Sequence, residues 1–229
     1  MSYIINSLTN EFVTYCLNND IINAKKIYNQ DIIDINDINC TITTKFEVED
    51  TYSLFETMCI KNYIEIVKWL ITLGVKDEYY NFGFISACIY DNEEIYTYLS
   101  DTKIKLDYTH AFMVCSFVGN FNVLKWLYTN NKSIIDIHKC NESAFLYAIA
   151  EKHFNIARWL YDLSVEEGNI INVRIDNDYA FSYACLYGNI EICKWLYEIS
   201  NNTIDKTDDI FKVNAELSNN QELIDWLKT

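Results

Sequence analysis

FMVCSFVGNFNVLKWLY at Phe112–Tyr128, FLYAIAEKHFNIARWLY at Phe145–Tyr161 and FSYACLYGNIEICKWLY at Phe181–Tyr197 are one phrase written three times. Each copy runs from a Phe through small residues to a polar break, then along an apolar stretch that closes on Lys/Arg-Trp-Leu-Tyr. Two looser copies stand upstream, FETMCIKNYIEIVKWLI at Phe55–Ile71 and FISACIYDNEEIYTYLS at Phe84–Ser100. Self-similarity at such a period is the signature of a repeat architecture, in which each copy is one supersecondary unit stacked on its neighbours.

Helical angles define the unit. With the leading Phe at zero and about 100° per residue, positions plus three, four and seven fall on its own side. Ala87, Ala148 and Ala184 stand at plus three, and Cys59, Cys88, Ser116, Ile149 and Cys185 at plus four. A first helix therefore presents a thin buried face. At plus seven and eight come pairs such as Gly119-Asn120 and Gly188-Asn189, suited to the left-handed backbone that ends a helix. A second helix follows, with Ile or Val at plus eleven and Trp or Tyr at plus fourteen on one face. Trp126 and Trp159 are accordingly expected to be buried between repeats. The Lys/Arg series at plus thirteen, Lys68, Lys125, Arg158 and Lys194, reads as a solvated outer stripe. Polar or β-branched connectors after each pair suit an extended turn or short hairpin.

The segments GNFNVLKWLY and GNIEICKWLY resemble the inter-helix turn and second helix of the ankyrin repeat, and INVRIDNDYA at Ile171–Ala180 resembles its β-turn entry. The resemblance spans about residues 10 to 229. It departs from the family at the start of the first helix, where Thr-Pro-Leu-His is replaced by Ala-Phe and the chain has no Pro at all. The Ala-Phe opening, in a background rich in Asn, Ile, Tyr and Lys, is similar to divergent ankyrin proteins of giant DNA viruses of amoebae. The resemblance implies an all-α, ankyrin-like repeat solenoid of stacked helical pairs with short extended or β-turn connectors. A tetratricopeptide array has a similar period, but the Gly-Asn turn and extended connectors favour the ankyrin kind.

The expected organisation is a single domain over residues 1–229. Its helical pairs lie near 52–74, 81–101, 109–130, 142–164 and 178–200, and degraded terminal copies at 10–30 and 209–229 align only with a one-residue shift in the first helix. Residues 31–51 form a long connector, an enlarged finger or a separate strand pair. Asn172 stands in the connector position where ankyrin-like repeats carry Asn, and its expected role is a turn hydrogen bond.

No catalytic, cofactor or metal site is expected. The eight cysteines include five on the small-residue face of first helices and form no Cys-x-x-Cys or Cys/His spacing, so they read as buried, reduced thiols. The three histidines fall in turns and connectors. Neither a phosphate loop nor a nucleophile elbow is present. A formal charge of −15 disfavours nucleic-acid backbones and favours a protein partner with a basic surface. The chain shows neither a membrane span nor a signal-peptide order, which points to an intracellular protein, cytoplasmic or nuclear.

The function expected is a non-enzymatic protein–protein interaction module that uses a concave face and connector fingers. The alternative is a substrate-recognition adaptor within a larger ligase or trafficking assembly. On first helices, plus two, five and six point away from the core, yet they carry Tyr90, Phe117, Val118, Tyr147, Tyr183 and Tyr187. Rings where a solvated face should be polar mark a candidate protein-binding strip.

Overall fold

The computed structural model describes residues 2–47, 49–102 and 104–229, which divide into two compact units, Met1–Asp107 and Tyr108–Thr229. The first holds α1 (Ser2–Leu17), α2 (Ile21–Ile27), β1 (Asn39–Thr43), β2 (Glu49–Ser53), α3 (Leu54–Ile60), α4 (Ile64–Thr72), α5 (Asp77–Ile89) and α6 (Glu93–Ser100). The second holds α7 (Tyr108–Val118), α8 (Phe121–Asn131), α9 (Lys139–Ala150), α10 (Phe154–Glu167), α11 (Ile175–Leu186), α12 (Ile190–Ile199), α13 (Asp209–Ser218) and α14 (Gln221–Leu227). No described helix is long and apolar enough to cross a membrane.

Within each unit the core follows the leading Phe. Phe55 is 3 % exposed, and Phe84, Phe112, Phe145 and Phe181 are fully buried, as are the small residues at plus three and plus four. The left-handed break recurs at plus seven in every one of these copies, at Asn62, Asp91, Gly119, Lys152 and Gly188. A Cβ at Gly119 would stand 2.4 Å from the His153 ring, so both a positive φ and a close approach hold that glycine. At plus eight, Asn92 and His153 stitch their copies to the ones before them. The Asn92 amide donates to the Cys59 and Ile60 carbonyls at 2.7 and 3.0 Å, and His153 Nε2 donates to the Phe117 carbonyl at 3.1 Å. A carbonyl only accepts, so this bond fixes the His153 proton on Nε2.

On the second helices the buried face is not the expected one. Plus eleven, twelve and fifteen are buried throughout, including Ile156, Ala157 and Leu160, whereas Trp69, Trp126, Trp159, Trp195 and Trp226 are only half-buried. The three buried positions fall at roughly 20°, 120° and 60°, so plus fourteen, at about 320°, lies on the flank of that arc.

The terminal copies differ from each other. Phe12 is fully buried and the left-handed Asn19 stands seven residues on, so FVTYCLNNDIINAKKIY at Phe12–Tyr28 is an unshifted copy. In the last copy the break is at Asn219 and the buried Ala215 precedes it by four, while Phe211 sits one residue early. There the expected one-residue shift holds.

The connectors are also corrected. Among the described residues strands occur only in the 31–53 region, where β1 pairs antiparallel with β2 in the register Asn39↔Ser53 to Thr43↔Glu49. That segment is a strand pair, and it buries Cys40 and Ile38. In the second unit two first helices are approached by a left-handed turn of three residues, Cys140-Asn141-Glu142 before Phe145 and Asp176-Asn177-Asp178 before Phe181. Each such L-residue costs about 1–2 kcal/mol, and side chains clamp both turns. His138 Nδ1 meets Glu142 at 2.8 Å, and Arg174 grips Asp178 bidentately at 2.8 and 2.9 Å. Glu142 also accepts the Asn172 N–H at 3.3 Å, while Asn172 closes its turn by accepting the Arg174 N–H at 3.1 Å.

Candidate functional site

The second helices of the Tyr108–Thr229 unit carry a closed aromatic array. Trp159 meets Phe112, Phe121 and Tyr128 with centroids 6.1, 5.4 and 5.9 Å apart. Trp195 meets Phe145 and Tyr161, and Trp226 meets Phe181 and Tyr197, in the same tilted and edge-on manner. Each Trp thus rests on the leading Phe and closing Tyr of the preceding copy, the geometry that ring quadrupoles favour. Cations lie over several of these rings. Arg158 lies 5.3 Å from the Trp195 centroid, Lys125 lies 4.7 Å from Phe121, and Lys206 lies 4.5 Å from Trp226. The Met1–Asp107 unit repeats the device with Trp69 on Phe12 and Tyr28, and with Lys25 over Trp69. The outer basic stripe is therefore not simply solvated: its members lie on rings or, as with Lys194 and Glu222 at 3.6 Å, reach carboxylates.

The first helices of the same unit carry an open row. Phe117 is 46 % and Tyr147 is 39 % exposed, and their rings meet edge to face at 5.8 Å. Val118, Tyr183 and Tyr187 are half-buried. Along α11 and its C-cap, Tyr179, Tyr183 and Tyr187 stand at i, i+4 and i+8 with centroids 4.5 and 5.7 Å apart. The hydrogen bond with Tyr183, aided by burial, pushes the Tyr179 phenol up to about 12. Tyr187 donates its hydroxyl to the Ala150 carbonyl, and Lys152 Nζ lies 4.3 Å from its ring centroid. Tyr179 was outside the expected strip because it precedes the leading Phe by two. Its signal was the four-residue spacing to Tyr183 and Tyr187.

Tyr90 belongs to the Met1–Asp107 unit and is half-buried. The hairpin tip lies against it, Phe46 edge-on at 6.2 Å and Lys45 Nζ at 4.8 Å from the ring centroid. Its ring meets both a ring and a cation from within the chain, whereas Phe117 and Tyr147 meet each other and are more exposed.

The titratable side chains are structural in their surroundings. Among the described residues no three His, Cys, Asp or Glu side chains converge as a metal would require. All eight cysteines are free and only Cys140 is exposed. Burial pushes the Cys16 thiol up to about 12, and the Cys185 thiol 3.8 Å away, together with burial, raises that of Cys193 strongly. Such thiols are unreactive at neutral pH. His138 Nε2 is the one buried side-chain polar atom among the described residues with no hydrogen-bond partner, and its ring faces Glu142 through the other nitrogen.

Residues 111–208 match the family model for ankyrin repeats (3 copies). The matched span holds the copies led by Phe112, Phe145 and Phe181, and with the helical pairs described above it makes the fold an all-α repeat solenoid of the ankyrin kind. Ankyrin repeats are generally protein–protein interaction modules and are typically non-enzymatic. No curated protein matches the chain.

Proposed function

From ankyrin repeats over residues 111–208, we propose that this protein is a non-enzymatic module that holds a protein partner with a basic surface on the first-helix row of its Tyr108–Thr229 unit. The observation that carries this reading is a contrast in ring occupancy. Rings on the second helices are covered by neighbours and cations, whereas Phe117 and Tyr147 stand open on a face where solvent would favour polar side chains. Val118, Tyr183 and Tyr187 extend the row, and such aromatic-rich patches with few charges have the composition of interface cores. The charge of −15 supports a basic partner and disfavours nucleic acid. Repeat phrases in both units support reading residues 1–229 as one ankyrin-type domain. Free, buried thiols support an intracellular site of action. The residue background rich in Asn, Ile, Tyr and Lys supports an origin in a giant DNA virus of amoebae.

The test is affinity capture with the chain carrying Phe117→Ser, Tyr147→Ser and Tyr183→Ser together. The substituted protein should keep its helical circular dichroism and its melting profile while losing the partner that the unaltered chain retains. Undiminished recovery of that partner would move the interface off this row.

A further inference from the structure

The tyrosines of α11 carry a feature that a general docking surface does not need. Lys152 Nζ is placed over the Tyr187 ring at 4.3 Å, and the residue before it, Glu151, acts electrostatically on both Tyr179 and Tyr187. The Tyr187 hydroxyl donates to the Ala150 carbonyl, which fixes the 150–152 turn against the ladder. Glu151 and Lys152 are both exposed, and Lys152 itself has a left-handed backbone, with φ 65°, uncommon for a lysine. A carboxylate and a stack of ring faces thus stand together, with a cation of the chain's own resting on one of them.

We propose that the Tyr179–Tyr183–Tyr187 ladder with Glu151 is a subsite for the Arg or Lys side chains of a basic polypeptide, and that Lys152 is its internal occupant, displaced when the partner binds. This rests on the reading of the first-helix row as the binding face and names the chemistry that the row selects. Ring faces attract cations through their quadrupole. Arg158 and Lys206 use the same attraction within this unit, on rings that are thereby closed to a partner. On the ladder a guanidinium has both a face and a counter-charge, and Lys152 competes for the Tyr187 ring. The competition gives an unusual sign: removing Lys152 should improve binding.

The experiment titrates the full chain into a fluorescently labelled deca-arginine peptide at low ionic strength and reads anisotropy. Lys152→Gln should tighten binding about two- to fivefold, the equivalent of one exposed cation–ring contact. Lys139→Gln, an equal change of charge at the start of α9, should do less. Tyr179→Leu with Tyr183→Leu keeps apolar bulk without phenol rings, and it should weaken binding about fivefold or more. Glu151→Gln, a surface change that leaves folding intact, should weaken it in the same direction. If deca-arginine binds but Lys152→Gln equals Lys139→Gln and the leucine pair binds like the unaltered chain, the subsite is wrong, while a basic partner elsewhere on the row still stands. If deca-arginine does not bind at all, the subsite and the basic character of the partner both fall, and only the capture experiment with the serine variants bears on the row itself.

Discussion

The two helices of each repeat in the Tyr108–Thr229 unit are about equally aromatic and use their rings in opposite ways. On second helices, a Trp flanks the buried arc, receives a Phe and a Tyr from the preceding copy, and in the Trp195 and Trp226 cases lies under a cation. On first helices, Phe117 and Tyr147 touch each other edge-on and are otherwise open. Aromatic content alone therefore says nothing about binding; what matters is whether the ring faces are already taken. Tyr90, at plus six like Tyr187, makes the same point in the other unit, where Phe46 and Lys45 of the hairpin tip occupy its ring.

This contrast can be broken at graded depth. Phe145→Ala empties a fully buried site common to all copies, so it should cost on the order of 3–5 kcal/mol in denaturant unfolding. Trp159→Ala removes a half-buried ring with three aromatic neighbours, and about 2 kcal/mol is expected. Equal losses at the two positions would mean that the flank is core after all. Arg158→Met keeps the aliphatic stem and deletes only the cation over Trp195, so unfolding should detect about 0.5–1 kcal/mol. Tyr147→Ser on the open row should stay within about 0.5 kcal/mol of the unaltered chain. A larger penalty there would show the row to be structural and would remove the basis for a binding face.

The smallest effect is spectroscopic. Tyr179 is held protonated by its bond with Tyr183, so the stability that this bond supplies is present below pH 10 and declines as pH rises through about 12. In Tyr183→Phe the Tyr179 phenol should ionise nearer the ordinary tyrosine range, read as phenolate absorbance during an alkaline titration. An unchanged titration curve would mean that the ladder is not coupled in solution.

Much of this was legible along the chain. The leading Phe, the small residues at plus three and four and the plus-eleven Ile or Val are buried as the helical angles require, because the apolar side of a helix is set by the spacing of residues within that helix. The left-handed break at plus seven was legible for the same reason, although Asp91 and Lys152 occupy it without the usual Gly or Asn. The Asx turn of Asn172 was legible too, since its bond spans only two residues. Harder to see was the unshifted first copy at Phe12–Tyr28, whose missing Trp disguised a register that its buried Phe and left-handed Asn19 make plain.

What tertiary structure alone decided lies at the contacts between successive copies. Trp159 is half-buried because its partners come from the preceding copy, and no angle within its own helix reports them. In the sequence the basic stripe reads as solvated because Arg158 and Trp195 are 37 positions apart, and the Lys45 and Phe46 cover over Tyr90 is similarly remote. The left-handed turns at 140–142 and 176–178 have polar sequences that many loops share, and only the clamps from His138 and Arg174 select that strained backbone. A period in the sequence fixes which side of a helix is apolar, since that follows from the chain's own geometry. Whether a ring on the flank of that side is covered depends on side chains delivered by the preceding copy, and that is a property of the stack.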